Sequence, residues 1–235
     1  MEPGSSQEIS AKELILSKWY AEHYSDVTAT GNGSFNARYM HRALERRYGP
    51  TEHFGRVLEI GANRGEHLEF VRHGFEEYLL TDLRTPQVDE SILADPRIRL
   101  GACDVSSIPY PDATFDRVIS TCVLHHVESP LQAALEMRRV TRPGGLVSIL
   151  MPTDPGLAYR VGKAVTSGRH ARRLGIGPLH ALVSALDHAN HFRSIRTQLG
   201  HVFRDDSPAI DWYPWRIPSV DANAFVIFRA RINGG

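Results

Sequence analysis

Short apolar runs alternate with longer amphipathic stretches through the middle of the chain. The runs are RVLEI (56–60), EYLLT (77–81), IRLGA (98–102), RVIST (117–121) and LVSIL (146–150). Each is rich in Val, Ile and Leu and too short for a helix, so each reads as a buried strand. The segments between Arg64 and His73 and between Pro130 and Val140 carry helical spacing. Strand–helix–strand alternation predicts a parallel sheet covered by helices on both faces. The turn Arg142-Pro143-Gly144-Gly145 ends the last of these helices and launches the strand at Leu146.

The flanks have a different texture. Residues 1 to about 10 read as a flexible lead-in. From Ala11 to about Tyr48 the pattern is helical, broken by a loop at Thr28-Ala29-Thr30-Gly31-Asn32-Gly33, where glycines cannot sustain a helix. The second helix, FNARYMHRALERRY, sets Tyr39, Leu44 and Tyr48 on one stripe and stops at Gly49-Pro50. Later, Tyr159 to Leu174 predicts a basic helix and Ala181 to Gly200 another. HVF (201–203), IDWYPW (210–215) and AFVIFRARI (224–232) follow. The last is a strand; Asp205 to Asn223, with its prolines, tryptophans and aspartates, reads as a loop or an irregular edge. The chain divides into a start with a helical lid (1–50), a core (51–152) and substrate-facing helices and strands completing the same domain (153–235).

Composition narrows the classes. The 235 residues suit one domain with an elaboration. Lys+Arg and Asp+Glu are both 27. That balance argues against a dedicated polyanion binder, whose affinity comes from Lys and Arg on phosphates. Cys103 and Cys122 are the two cysteines, too few for a disulfide scaffold or an all-cysteine zinc site. Met1 to Ser10 lacks the apolar stretch of a signal peptide, and no run is long enough to cross a bilayer. A soluble cytoplasmic protein is expected.

Val57-Leu58-Glu59-Ile60-Gly61-Ala62-Asn63-Arg64-Gly65 reads as a strand, a glycine turn and a helix start. Gly61 and Gly65 permit a tight turn and close backbone approach to a ligand. Asp82 follows the next strand, where an acid can accept hydrogen bonds from both hydroxyls of a ribose. Glu59, just ahead of the turn, would repel a pyrophosphate and suits the amino group or ordered water of a cationic ligand. Arg64-Gly65-Glu66 stands where a phosphate loop needs Gly-Lys-Ser/Thr.

These residues resemble the class I S-adenosylmethionine-dependent methyltransferases, especially their small-molecule branch, from about Phe54 to Pro152. VLEIGANRG is similar to that family's first motif and YLLTDL to its second. GACDVSSIPYPDATFDRVIS resembles the third and fourth. STCVLHHV and RRVTRPGGLVSIL resemble the exit of strand four and the turn into strand five. The resemblance implies an α/β, Rossmann-like fold. Its seven-stranded sheet is mostly parallel, with helices on both faces, an antiparallel C-terminal strand and an N-terminal helical lid.

It also implies S-adenosylmethionine as cofactor, with S-adenosylhomocysteine as product. The implied contacts are Arg38, Glu59, Gly61, Ala62, Asn63, Gly65, Asp82, Leu83, Asp104, Val105, Thr121 and Cys122. Asp82 takes the ribose, Asp104 the adenine amino group and Arg38 the methionine carboxylate. Asn63 departs from the family's Gly-x-Gly-x-Gly. Asn tolerates left-handed backbone and hydrogen-bonds locally, so cofactor binding is expected to survive.

Catalysis by such an enzyme is mainly alignment and exclusion of water, with a base only where the acceptor must lose a proton. The candidates are His125 and His126 beyond strand four, and Asp187 and His191 in the later Asp187-His188-Ala189-Asn190-His191 run. His188 and His191 are placed on one helix face. With no local cysteine and no clear third ligand, no metal is expected there. Trp19-Tyr20, Tyr24 and Phe35 to Tyr39 supply the lid, where an aromatic could cover the sulfonium.

The chain as a whole is similar to methyltransferases of bacterial sugar and aminoglycoside-type pathways. That implies a small polar substrate, cationic in one reading, in antibiotic biosynthesis. Asp205, Asp206, Asp211 and Asp221 around Trp212, Tyr213, Trp215 and Arg216 incline the reading to N- over O-methylation. A nucleic-acid methyltransferase is the first alternative. Its support is the basic stretch Arg160, Lys163, Arg169, His170, Arg172 and Arg173. Against it, Ser120 to Leu124 lacks the Asn/Asp-Pro-Pro-aromatic run of base-amine enzymes. A non-catalytic protein that inherited the fold is the second. Neither nucleic acid nor membrane is expected as a partner.

Overall fold

A computed structural model describes residues 10–23 and 35–234 of the chain. Seven strands lie in the order β3-β2-β1-β4-β5-β7-β6. They are β1 (His53–Ile60), β2 (Gly74–Asp82), β3 (Ile98–Ala102), β4 (Phe115–Thr121), β5 (Thr141–Pro152), β6 (Ala209–Tyr213) and β7 (Phe225–Arg231). β1 to β5 run parallel, and β7 is antiparallel to both β5 and β6. This is the Rossmann-like class I methyltransferase architecture expected from the sequence.

The near-continuous apolar runs arise because the central strands are covered twice. Side chains alternate across the sheet. Leu58, Val118, Val147 and Ile149 pack on one face with Met137, Phe192, Ile195, Leu199 and Phe203. Val57, Tyr78, Leu80 and Ile119 pack on the other with Ala43, Leu44 and Tyr48.

The helices are α1 (Ala11–Glu22), α2 (Phe35–Glu45), α3 (Glu90–Leu93), α4 (Pro130–Val140), α5 (Leu157–Val165), α6 (Ser167–Arg173), α7 (Gly177–Asp187) and α8 (Phe192–Val202). α1 opens on a capping box between Ser10 and Glu13. α4 opens with Ser129 accepting the Gln132 N–H and Pro130 in its first turn.

Several sequence expectations are corrected. The stretch from Arg64 to His73 is not a helix but a series of turns and one 3-10 turn, Leu68–Phe70. Gly65 is left-handed (φ +79°) and β2 begins at Gly74, so the connection is too short for more. The predicted basic helix breaks at Thr166 into α5 and α6. The next breaks across residues 188–191 into α7 and α8, leaving His188 and His191 at helix ends rather than on one face. HVF belongs to the end of α8. IDWYPW contributes β6, an edge strand in the stretch expected to be irregular. The Arg142–Gly145 turn lies inside β5, where the pairing with β4 shifts register. The Thr28–Gly33 loop and Tyr24 lie outside the described residues.

Candidate functional site

The C-terminal ends of β1 to β4 meet at one edge, the position that carries ligands in open α/β sheets. After β1 the chain turns through left-handed Gly61 (φ +76°), Asn63 (φ +48°) and Gly65. A Cβ on Gly61 would stand 2.2 Å from Val123 Cγ2, so only glycine fits. The Gly61 and Ala62 N–H groups both donate to the Thr81 carbonyl, which ties the turn to β2. The Asn63 side chain donates to Glu66 at 3.0 Å.

Asp82 ends β2. Its Oδ2 accepts the Asn63 N–H at 3.0 Å and its Oδ1 the Leu83 N–H at 2.7 Å. A carboxylate offers about four acceptor positions, so lone pairs remain for a diol. Leu83 is exposed beside it. Asp104, after β3, is exposed and accepts the Ser106 N–H, while Val105 is buried. Thr121 ends β4, and Cys122 follows with φ +57°. Burial pushes the Cys122 thiol up to about 12, so it is not a nucleophile at neutral pH.

Glu59 points into the sheet face under α2. It is buried, Oε2 accepts the Tyr78 hydroxyl at 2.7 Å, and Oε1 has no partner. Burial raises its carboxyl above the usual range. Arg38 is engaged differently from the expectation. Its guanidinium makes a bidentate pair with Glu69 at 2.7 and 3.0 Å.

A second group lies beyond β4 and β5. His125 and His126 follow β4, and Asp154 follows β5. Asp187 and His188 come from the end of α7. His188 Nδ1 is 2.7 Å from Asp154 Oδ2, and His126 Nδ1 is 3.0 Å from Asp187 Oδ2. The hydrogen bond with His188 holds the Asp154 carboxyl below its ordinary value. Burial works against the Asp187 carboxylate, but hydrogen bonds from His126 and Tyr20 outweigh it and lower its pKa. The ring centroids of His125 and His126 are 3.9 Å apart, and those of His125 and His188 4.6 Å. His125 is buried, its Nδ1 unpartnered. Burial, with His126 and His188 beside it, holds it neutral, well below the ordinary histidine value.

Three of the four expected catalytic residues, His125, His126 and Asp187, come together here. His191 does not join them; it is exposed at the start of α8. Asp154 and His188 join the group through a contact that nothing local in the sequence marks. Lys163, in the basic stretch that supported the nucleic-acid alternative, is half-buried, with Asp154 and Asp187 acting on its ammonium. Trp19 packs against Val183 of α7, and the Tyr20 hydroxyl donates to Asp187 at 2.9 Å.

The late acids that inclined the reading to an amine are tied up elsewhere. Asp206 is buried against Arg138, Asp211 lies between Arg47 and Arg229, and Asp221 accepts the Leu157 N–H. Asp205 is exposed and pairs with Arg204.

Residues 58–149 match the protein family described as "Methyltransferase domain". Over 98 residues the chain is 36% identical to a tRNA U34 carboxymethyltransferase of Trichlorobacter lovleyi, covering 38% of this chain and 30% of that protein. It is 30% identical over 153 residues to a malonyl-[acyl-carrier protein] O-methyltransferase of Halorhodospira halophila, covering 63% of this chain and 50% of that one. The chain thus spans between 30% and 50% of the length of these curated relatives. Its fold is similar to that of the Burkholderia thailandensis 1,6-didemethyltoxoflavin-N1-methyltransferase, solved with 1,6-didemethyltoxoflavin and S-adenosylhomocysteine bound. The TM-score is 0.62 at 17% identity, over 100% of this chain and 93% of that one. No helix among the described residues is long and apolar enough to cross a membrane.

The cofactor of the methyltransferase family is S-adenosylmethionine. The residues present fit it. The left-handed turn through Gly61, Asn63 and Gly65 lies at the strand ends, Asp82 stands at it with acceptor capacity, and the unpartnered Oε1 of Glu59 suits an N–H donor.

Proposed function

We propose that this chain is an S-adenosylmethionine-dependent methyltransferase acting on a hydroxyl or amine of a small polar metabolite, with amino sugars and neutral sugars the first acceptors to try. The observation that carries the reading is the pair of carboxylate-held imidazoles, His126–Asp187 and His188–Asp154, beyond the same strand ends as the glycine turn.

S-adenosylmethionine supplies an electrophilic methyl group on a sulfonium. The chain's work is then to hold it, to align the acceptor and to take a proton. Asp82 and the Gly61–Gly65 turn bind the nucleoside end. Glu59 Oε1 accepts from an amino group. Asp187 and Asp154 each hold a ring through Nδ1–H, which fixes the tautomer and turns the Nε2 lone pair outward. Nε2 is the atom that takes the acceptor's proton. A hydroxyl gains most from such a base, and a protonated amine also needs one. The Tyr20 hydroxyl of α1 gives Asp187 a further donor and braces the carboxylate that holds His126. The balanced charge and the inward-facing Lys163 favour a small metabolite over nucleic acid.

The test is methyl transfer from labelled S-adenosylmethionine to a panel of amino sugars, neutral sugars and other polar metabolites, read by mass spectrometry. Transfer is expected, and His126→Asn or His188→Asn should slow it about 10²–10⁴-fold for a base role. A protein that binds the cofactor yet labels nothing in the panel, or whose rate ignores both substitutions, contradicts the reading.

A further inference from the structure

His125, His126 and His188 each bring a ring nitrogen to within 4.8 Å of the other two. Three imidazoles are the donor set of a common catalytic zinc site, in which three protein ligands leave a fourth position open. Imidazole donors suit zinc, copper, iron and nickel over magnesium or calcium.

Two further observations point the same way. Ligating histidines usually give their other ring N–H to a carboxylate, which orients the ring and raises its basicity. Here His126 Nδ1 faces Asp187 Oδ2 at 3.0 Å, and His188 Nδ1 faces Asp154 Oδ2 at 2.7 Å. Both Nε2 atoms are left without a protein partner among the described residues. The third ring has no such satisfaction. His125 is 4% exposed, and its Nδ1 is sealed from solvent with nothing to bond. An unpartnered buried nitrogen carries an uncompensated desolvation cost, which a bound ligand would offset.

Charge is compatible with a cation. The rings are uncharged ligands, Asp154 and Asp187 bring two negative charges, and Lys163 is the ammonium that faces them. The signal was partly present in the sequence. His125-His126 and His188 were visible, but the late run was read as a His188–His191 pair with no third ligand, and nothing local brings His188 to the histidines after β4.

We propose that His125, His126 and His188 form a binding site for one first-row divalent metal ion, zinc above all, with Asp187 and Asp154 orienting two of the ligands and one position open towards the methyl acceptor. The site rests on the cluster's geometry alone and goes beyond the methyl-transfer reading. A loaded cluster has no free Nε2 to take a proton. An acceptor hydroxyl in the open position would instead meet a Lewis acid that lowers its pKa.

The untagged full chain, stripped with a chelator, is titrated at neutral pH with Zn(II) by calorimetry and with Co(II) by its visible absorption. One ion per chain is expected, with the intense visible bands of low-coordinate Co(II). His126→Ala and His188→Ala should each weaken binding by about 100-fold or more, and Asp154→Asn and Asp187→Asn by about 10–100-fold. A purely structural cluster would not give that graded order. No stoichiometric uptake overturns the proposal, as does uptake that survives the His126→Ala/His188→Ala double substitution in a chain with wild-type circular dichroism. S-adenosylmethionine titrated into the stripped protein keeps the two readings apart. If it binds while neither metal does, the metal site alone is lost.

Discussion

The backbone N–H of Asn63 donates to Asp82 Oδ2 at 3.0 Å, so the glycine turn after β1 and the acid at the end of β2 are one hydrogen-bonded unit. Asn63 reaches that position in the left-handed region, at φ +48°. Asn tolerates this conformation and a β-branched residue does not. Asn63→Gly should therefore keep cofactor affinity within a few-fold. Asn63→Val should weaken it by about tenfold or more, because strain of order 1–3 kcal/mol moves the Asp82 partner. Calorimetry on both variants checks this. Equal affinities would show that the turn does not position Asp82.

Gly61 sits where a methyl group would strike Val123 Cγ2 at 2.2 Å, and its φ of +76° is costly for any L side chain. Gly61→Ala should abolish measurable cofactor binding and lower stability. Adding Val123→Ala removes the clash but not the left-handed strain, so the double variant should recover stability in part. Chemical denaturation reads the difference; a double variant no more stable than the single one would place the cost wholly in the backbone.

Arg117, fully buried in β4, holds the Glu45 carboxylate at the end of α2 through two contacts of 2.7 and 2.8 Å. The guanidinium also lies 4.2 Å from the Tyr48 ring centroid. Removing one partner of a buried pair leaves an uncompensated charge, which costs about 3–5 kcal/mol. Glu45→Gln should destabilise the chain by that amount in urea denaturation. A loss under 1 kcal/mol would mean that Arg117 finds another acceptor.

Stability should also fall with acid. Burial pushes His41 and His73 down to about 4, so both stay neutral in the folded state. Unfolded, each takes a proton at about 6.5. The unfolded chain therefore binds more protons below that pH. Each histidine removes about 1.4 kcal/mol of stability per pH unit between about 6.5 and 4. Glu45, held ionised by Arg117 against the cost of burial, acts in the same direction at lower pH. Urea midpoints at pH 7, 6 and 5 test the slope. A flat profile, or one that restores itself in His41→Phe alone, would assign the titration elsewhere.

The parallel core was legible because its central strands are buried on both faces and so read as near-continuous apolar runs, as in LVSIL (146–150), buried throughout in β5; IRLGA, at the sheet edge with Arg99 exposed, still matches β3 to the residue. The glycine turn was legible because Gly61 and Gly65 answer a backbone requirement, and Asp82 because it stands one strand further on. The helix after the turn was not, since the three-residue spacing of Leu68 and Val71 fits a single 3-10 turn as well as an α-helix. The breaks at Thr166 and at residues 188–191 carry no glycine or proline of their own, so two helix pairs read as two helices. Pairings at long range were invisible. Nothing local marks His188 for Asp154, 34 residues away, or Asp206 for Arg138. The acids around Trp212 looked like a binding surface because the partners of Asp206, Asp211 and Asp221 are distant in the chain.

The measurement that bears most directly on the central claim is calorimetric titration of the full chain with S-adenosylmethionine and S-adenosylhomocysteine, beside Asp82→Ala. One site per chain is expected for both ligands, with affinity falling at least tenfold in the variant. A folded wild-type protein that binds neither ligand, or an Asp82→Ala variant that binds as tightly as wild type, would contradict the account.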